Sequence, residues 1–228
     1  MPDWREIATR EQSRYRDGEE RLPDDPDARQ RQLTRMGNAA NGAGLALLMG
    51  GDRAEAGEWF ARAAGRWRES YADAPPGSWG RPIGATKARL LAADWPAAER
   101  EARWTLDERA GEAESPIGRY AACLACCVLG DWKAAGVLAD GLRTAPGFPP
   151  EVGHALVFIA ADDPVGYAEA IEGVLRSFET RDDYLEDVPV ADTVVVLQAL
   201  AQRRGIRVAL ESPLLPPAPE HGPGASPV

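Results

Sequence analysis

The most polar stretch of the chain is Glu179-Thr180-Arg181-Asp182-Asp183-Tyr184-Leu185-Glu186-Asp187. Carboxylates this close in sequence are suited to general acid–base work or to holding a hard cation. The run lacks the Gly-centred spacing of a calcium loop, and Arg181 inside it offers internal ion pairing, so a structural or interaction role is the better reading. Cys123-x-x-Cys126-Cys127 has the spacing of half a metal site, but there is no second pair and no histidine at finger spacing. Its neighbours are apolar, which makes the cysteines small hydrophobes of a packed helix. His154 has no nucleophile motif to serve, and the other histidine, His221, lies near the chain end. Gly42-x-Gly44 and Gly50-Gly51 follow no strand and precede no Gly-Lys-Ser/Thr, so they are helix-contact and turn glycines, not phosphate loops. Trp79, in a Pro/Gly loop beside Arg81, is the best candidate for an exposed anchor, because Trp and Arg dominate binding hot spots, the alternative being a Trp that locks the loop down.

These groups sit in a chain of 228 residues with a net charge of −10. Between Glu151 and Asp192 eleven acids face only Arg176 and Arg181, so that segment alone carries −9. Such a surface repels nucleic acid, whose binding requires neutralised phosphates, and attracts a basic partner. A solvated helix face is the plain alternative. No apolar run approaches the roughly 18 residues of a membrane span. The opening Met1-Pro2-Asp3-Trp4-Arg5-Glu6 lacks a secretory pattern, and the crowded, unpairable cysteines fit a reducing compartment, so a cytoplasmic location is expected.

The elements that position these groups read as helices throughout. Trp4, Ile7, Ala8, Glu11 and Tyr15 form one helical stripe. Asp25-Pro26 caps and opens a second helix, with Leu33, Met36, Ala40, Gly44 and Leu47 on one face. Asp52 and Glu55 make a capping box for a third, whose buried stripe is Ala56, Phe60, Ala63, Trp67 and Tyr71. A phrase then occurs twice. Pro82-Ile83-Gly84 runs into Ala93-Asp94-Trp95, and Pro116-Ile117-Gly118 runs into Gly130-Asp131-Trp132, the copies starting 34 residues apart. In each, Pro starts a helix, Gly allows close packing, Asp caps the next helix and Trp fills the turn. A further pair is expected at 152–160 and 164–178, a helix at 189–204, and a short extended segment at 206–210.

The small-and-aromatic spacing Gly44, Leu47, Gly51, Ala56, Phe60, Ala63 and the 34-residue period resemble the tetratricopeptide repeat over residues 37–178. That resemblance implies an all-α, right-handed solenoid of irregular antiparallel helix pairs, and a protein-interaction scaffold. A second resemblance lies in Ala191-Asp192-Thr193, Leu200-Ala201-Gln202-Arg203-Arg204-Gly205-Ile206 and Glu211-Ser212-Pro213-Leu214-Leu215-Pro216. This stretch is similar to the close of an all-helical family of bacterial polymorphic-toxin immunity proteins, which implies neutralisation of a toxin by covering its active surface. One domain over 1–212 is expected, with capping helices at 1–25 and 189–205 and a disordered Pro/Gly-rich tail at 213–228.

The expected function is non-enzymatic binding of a protein or peptide, a basic one, without cofactor, nucleic acid or membrane. Trp79, Arg81, Glu179, Asp182, Asp183, Tyr184, Glu186 and Asp187 are the candidate contacts. An immunity-type inhibitor and an enzyme with a carboxylate site in the concave groove are the alternatives, and monomer and homodimer both stay open.

Overall fold

A computed structural model describes residues 2–218. They form ten α-helices: α1 Trp4–Glu20, α2 Pro26–Met49, α3 Arg53–Tyr71, α4 Gly80–Leu91, α5 Trp95–Asp107, α6 Pro116–Leu129, α7 Trp132–Arg143, α8 Pro150–Ala161, α9 Pro164–Glu179 and α10 Asp192–Arg203. Short 3-10 turns lie at Ala110–Glu112 and Leu185–Asp187, and no strand occurs among the described residues, so 206–210 is irregular chain. Most helices start where a short polar side chain satisfies the free N–H groups of the first turn. Asp3, Asp25, Asp52, Asp94, Ser115, Asp131 and Asp163 all accept from their own helix, at about 1 kcal/mol each.

Neighbouring helices pack in sequence from α1 to α9. The turns joining α2 to α3, α4 to α5, α6 to α7 and α8 to α9 share one backbone geometry. In each, a residue in the left-handed region precedes the capping Asp: Gly51 (φ 88°), Ala93 (φ 55°), Gly130 (φ 77°) and Asp162 (φ 59°). Each capping Asp N–H returns to the carbonyl five residues back: Asp52 to Leu47 (2.9 Å), Asp94 to Arg89 (3.0 Å), Asp131 to Cys126 (2.9 Å) and Asp163 to Phe158 (3.0 Å). These are Schellman closures, which satisfy the last carbonyls of one helix while the Asp starts the next. The doubled phrase is therefore half of a fourfold backbone feature.

The glycines of that phrase have one job. A Cβ at Gly84 would come within 2.8 Å of Trp67, and one at Gly37 within 2.7 Å of the same ring, so the indole lies between two glycine gaps on α2 and α4. In the second copy the gap at Gly118 takes the ring of Trp79, 2.8 Å from where a Cβ would stand. An added methyl at Gly37 or Gly84 must displace the buried Trp67 indole, and one at Gly118 must displace both Ala113, 2.2 Å away, and the half-buried Trp79 ring.

The neighbours of α10 are not those of an end helix alone, since it packs on α8, α9 and also α4. Val194, Val196, Leu197, Leu200 and Ala201 bury its inner face. At its start, Lys87 of α4 bonds Asp192 (2.6 Å) and Thr193 (3.0 Å). At its end, the Arg203 guanidinium lies 4.6 Å over the Trp95 ring and that of Arg204 4.8 Å over Trp132. Arg203 also pairs with Glu99 (3.0 Å), and Arg204 with Asp162 (3.6 Å). Two adjacent arginines thus hold three of the four hairpin turns.

Beyond α10 the chain stays on the body. The Leu214 carbonyl accepts from Ala191 N–H (2.9 Å), and Pro217 accepts from Arg53 (2.6 Å). The rest of the expected disordered tail, 219–228, lies outside the described residues.

Candidate functional site

The acidic loop is divided in its use. Asp182, Asp183 and Asp187 are exposed, as is Glu179, which accepts from Ser212 (2.8 Å). Glu186 instead turns back to the N-terminal helices: it pairs with Arg14, accepts from Asn38 (3.2 Å), and its carbonyl accepts from Arg10 (2.9 Å). Both Glu186 and Asp187 have φ of 56°, a strained region for non-glycine residues that these contacts offset. The Tyr184 hydroxyl donates to the Phe178 carbonyl (2.6 Å), and Arg181 stacks 3.6 Å over the Phe178 ring. The loop is therefore fastened at Tyr184 and Glu186, leaving its aspartates at the surface.

Three ion pairs in all reach acids of the Glu151–Asp192 segment among the described residues: Asp162 with Arg204, Glu186 with Arg14, and Asp192 with Lys87. Each cation comes from outside the segment. Eight acids there have no ion pair among the described residues, and Glu151, Glu169 and Glu172 on α8 and α9 are among them. Between these two helices lies an open groove of about 310 Å³ lined by Glu151, His154, Phe158, Gly166, Glu169 and Gly173. His154 is half-buried there with carboxylates on both helices. Glu179, Asp183 and Asp187 of the acidic stretch do not line the groove.

Trp79 and Arg81 sit in a different setting. Trp79 is half-buried, its ring 6.3 Å from that of Tyr71 and wedged at Gly118, so the loop is locked down. Arg81 of α4 reaches across to α2 and α3, where Nε donates to Ser70 (2.9 Å) and Thr34 (3.2 Å) and one terminal nitrogen donates to Gln30. No carboxylate pairs with it among the described residues. Burial accordingly holds the Arg81 guanidinium below its ordinary pKa. At Arg14 burial acts in the same direction, but Glu186 and Glu11 outweigh it and the pKa is raised.

Sequence reasoning missed the row that receives Arg81. Gln30, Thr34, Asn38 and Asn41 recur at helical spacing along α2, and two of them, Gln30 (3% exposed) and Asn41 (5% exposed), are buried. The signal was present as a polar stripe on a helix otherwise rich in Ala, Gly and Leu, since buried amides demand partners. Asn38 accepts from the Trp67 indole N–H (3.2 Å). Asn41 has no side-chain hydrogen bond among the described residues. It opens, with Trp67, Trp79, Arg81, Lys87 and Leu185, onto a cavity of about 410 Å³. The two regions singled out in the sequence, the Trp79 loop and the acidic loop, thus share one cavity wall through Trp79, Arg81 and Leu185.

The three cysteines are buried and unpaired with one another. Their contact with each other and burial push the Cys123 thiol well up, and burial pushes Cys126 up to about 11, so neither is a ready thiolate. Among the described residues no three His, Cys, Asp or Glu side chains are grouped as a metal site requires, and no helix is long and apolar enough to cross a membrane. No family model, curated protein or solved structure matches the chain.

Proposed function

We propose that this is a non-enzymatic, tetratricopeptide-like repeat protein, a right-handed solenoid of irregular pairs, that binds a basic protein or peptide. Its binding surface is the acidic face of α8, α9 and the loop after them. The observation that carries the reading is the α8–α9 groove. Phe158 offers an apolar floor for the stem of a Lys or Arg side chain, and Glu151 and Glu169 supply charge that no cation among the described residues pairs with. Exposed Asp182, Asp183 and Asp187 extend the same field, which speeds encounter with a positive surface more than it adds affinity. The activity needs no cofactor, nucleic acid or membrane and operates in the cytoplasm.

A second reading is supported by the C-terminal segment. The residues that resemble a toxin-immunity family, Arg203-Arg204-Gly205 and Ser212-Pro213-Leu214, are those that fasten α10 and the following chain to the body. An inhibitor of a basic, nucleic-acid-cutting toxin would use the same acidic surface with one cognate partner. A carboxylate enzyme has less support, because the groove holding His154 is open and lacks the loop aspartates.

The test is affinity capture from the native lysate, comparing the wild type with a Glu151→Gln/Glu169→Gln/Glu172→Gln variant. The expected result is a defined partner with a basic surface, held at low salt, released as salt rises, and depleted at least ~10-fold on the variant. Equal capture by both proteins at low salt refutes the acidic-face reading. Capture of a single nuclease-like partner selects the inhibitor reading.

A further inference from the structure

The cavity between α2 and α4 combines features that bear on one kind of ligand. Arg81 is a cation without a carboxylate, held by three neutral acceptors, Gln30, Thr34 and Ser70. Such an arrangement fixes the direction of the guanidinium without cancelling its charge. The first turn of α4 also borders the cavity at Gly80 and begins without any side-chain cap; Pro82 has no N–H and those of Arg81 and Ile83 bond the Ser78 and Trp79 carbonyls, so the Gly80 N–H and the helix dipole are what favour an anion there. Asn41, 5% exposed, presents an unpartnered carboxamide to the same space.

Charge counting narrows the ligand. Lys87 and Asp192 both line the cavity and cancel each other across 2.6 Å. Glu186, near Asn38, is answered by Arg14. One positive charge, that of Arg81, remains. A monoanion balances it, whereas a phosphate dianion brings a surplus negative charge into a half-buried space. The remaining wall is apolar and aromatic, from Trp67, Trp79, Ile83 and Leu185. A cavity of about 410 Å³ lies within the range of small-molecule sites.

We propose that this cavity is a binding site for a small monocarboxylate with an aromatic or branched apolar body. The carboxylate sits on Arg81 and the first turn of α4, the apolar body lies against Trp79 and Ile83, and Asn41 bonds a polar edge or a bound water. The site is independent of the α8–α9 groove and stands whether or not that groove binds a basic protein.

The experiment is calorimetric titration of the purified full chain with benzoate, benzamide and phenyl phosphate at matched ionic strength. Benzoate is expected to bind with a millimolar or lower dissociation constant, and benzamide and phenyl phosphate at least ~10-fold more weakly. In Arg81→Gln and Asn41→Asp, benzoate binding is expected to fall at least ~10-fold, with helix content checked by circular dichroism. Asn41→Asp keeps the side-chain size and adds a repelling charge, so it decides if Arg81→Gln fails to fold, and the wild-type comparison of benzoate with benzamide decides without any variant. Benzamide binding as tightly as benzoate, phenyl phosphate binding more tightly, or no benzoate binding at about 10 mM overturns the proposal.

Discussion

Glu101 on α5 and Glu151 on α8 are both glutamates on packed helices, in opposite electrostatic settings. Glu101 is buried and meets Arg68 at 2.9 Å and Arg89 at 3.8 Å. Glu11 on α1 is likewise fully buried, between Arg10 and Arg14 at 2.8 Å each. Glu151, with Glu169 and Glu172 nearby, has no ion pair among the described residues. The difference separates two uses of negative charge. Arg68 and Arg89 tie α5 to α3 and α4 through Glu101, Arg10 and Arg14 neutralise Glu11 within α1, and removing these arginines leaves a buried carboxylate uncompensated. Glu151, Glu169 and Glu172 on α8 and α9 make no ion pair or side-chain hydrogen bond among the described residues, and their field is free to act on something outside the chain.

The comparison can be broken most severely at Glu101. Glu101→Gln leaves Arg89, only 18% exposed in its side chain, with Asp94 at 4.0 Å as its one remaining carboxylate among the described residues, and is expected to cost about 1–3 kcal/mol of folding stability, read from the urea midpoint. A cost below ~0.5 kcal/mol would show that buried and exposed acids do not differ in kind. Next comes Arg14→Ala, which unpins Glu186 and removes one of the two partners of Glu11. We expect a loss of about 1–2 kcal/mol and faster proteolytic cleavage between Arg181 and Val188, with the other loops unchanged. Cleavage at an unaltered rate would mean that Arg14 does not hold the acidic loop.

A smaller effect of opposite sign is expected in the repeated turns. Ala93 stands at φ 55° where Gly130 occupies the matching position of the next hairpin. Ala93→Gly should stabilise by up to about 1 kcal/mol, and Gly130→Ala should destabilise by about the same, both by thermal melting. The smallest change is predicted for Glu151→Gln, Glu169→Gln and Glu172→Gln together, within ~0.5 kcal/mol of wild type. A large loss there would make these acids structural after all.

How much of this was legible in the sequence depended on how far the partners lie apart in the chain. The Asp caps, the first residues Pro26 and Pro116 and the hairpin turns involve residues a few positions apart, and those helix starts fall where capping chemistry puts them, whereas α4 starts at Gly80, two residues before Pro82 and without a side-chain cap. The charge imbalance after Glu151 was equally plain, because it is a sum over neighbours. Pairings across the fold were not. Glu186 meets Arg10 across 176 positions, and Lys87 meets Thr193 across 106. Nothing local in α10 signals that it returns to α4, or that its two final arginines cover Trp95 and Trp132. The polar stripe of α2 was visible as a pattern, but its meaning required Arg81, which the sequence reading placed only among the candidate contacts beside Trp79.

The most direct test of the central claim compares two variants that remove the same charge from different places. One carries Glu169→Gln, Glu172→Gln, Asp182→Asn, Asp183→Asn and Asp187→Asn. The other carries Glu6→Gln, Asp17→Asn, Glu20→Gln, Asp24→Asn and Asp73→Asn, all exposed and outside the acidic segment. Affinity for the partner captured from the native lysate is then measured at low salt. The account predicts that the first variant binds at least ~10-fold more weakly than wild type while the second stays within about twofold. Equal weakening of both would reduce the effect to net charge, and no weakening of the first would contradict the acidic face as the binding surface.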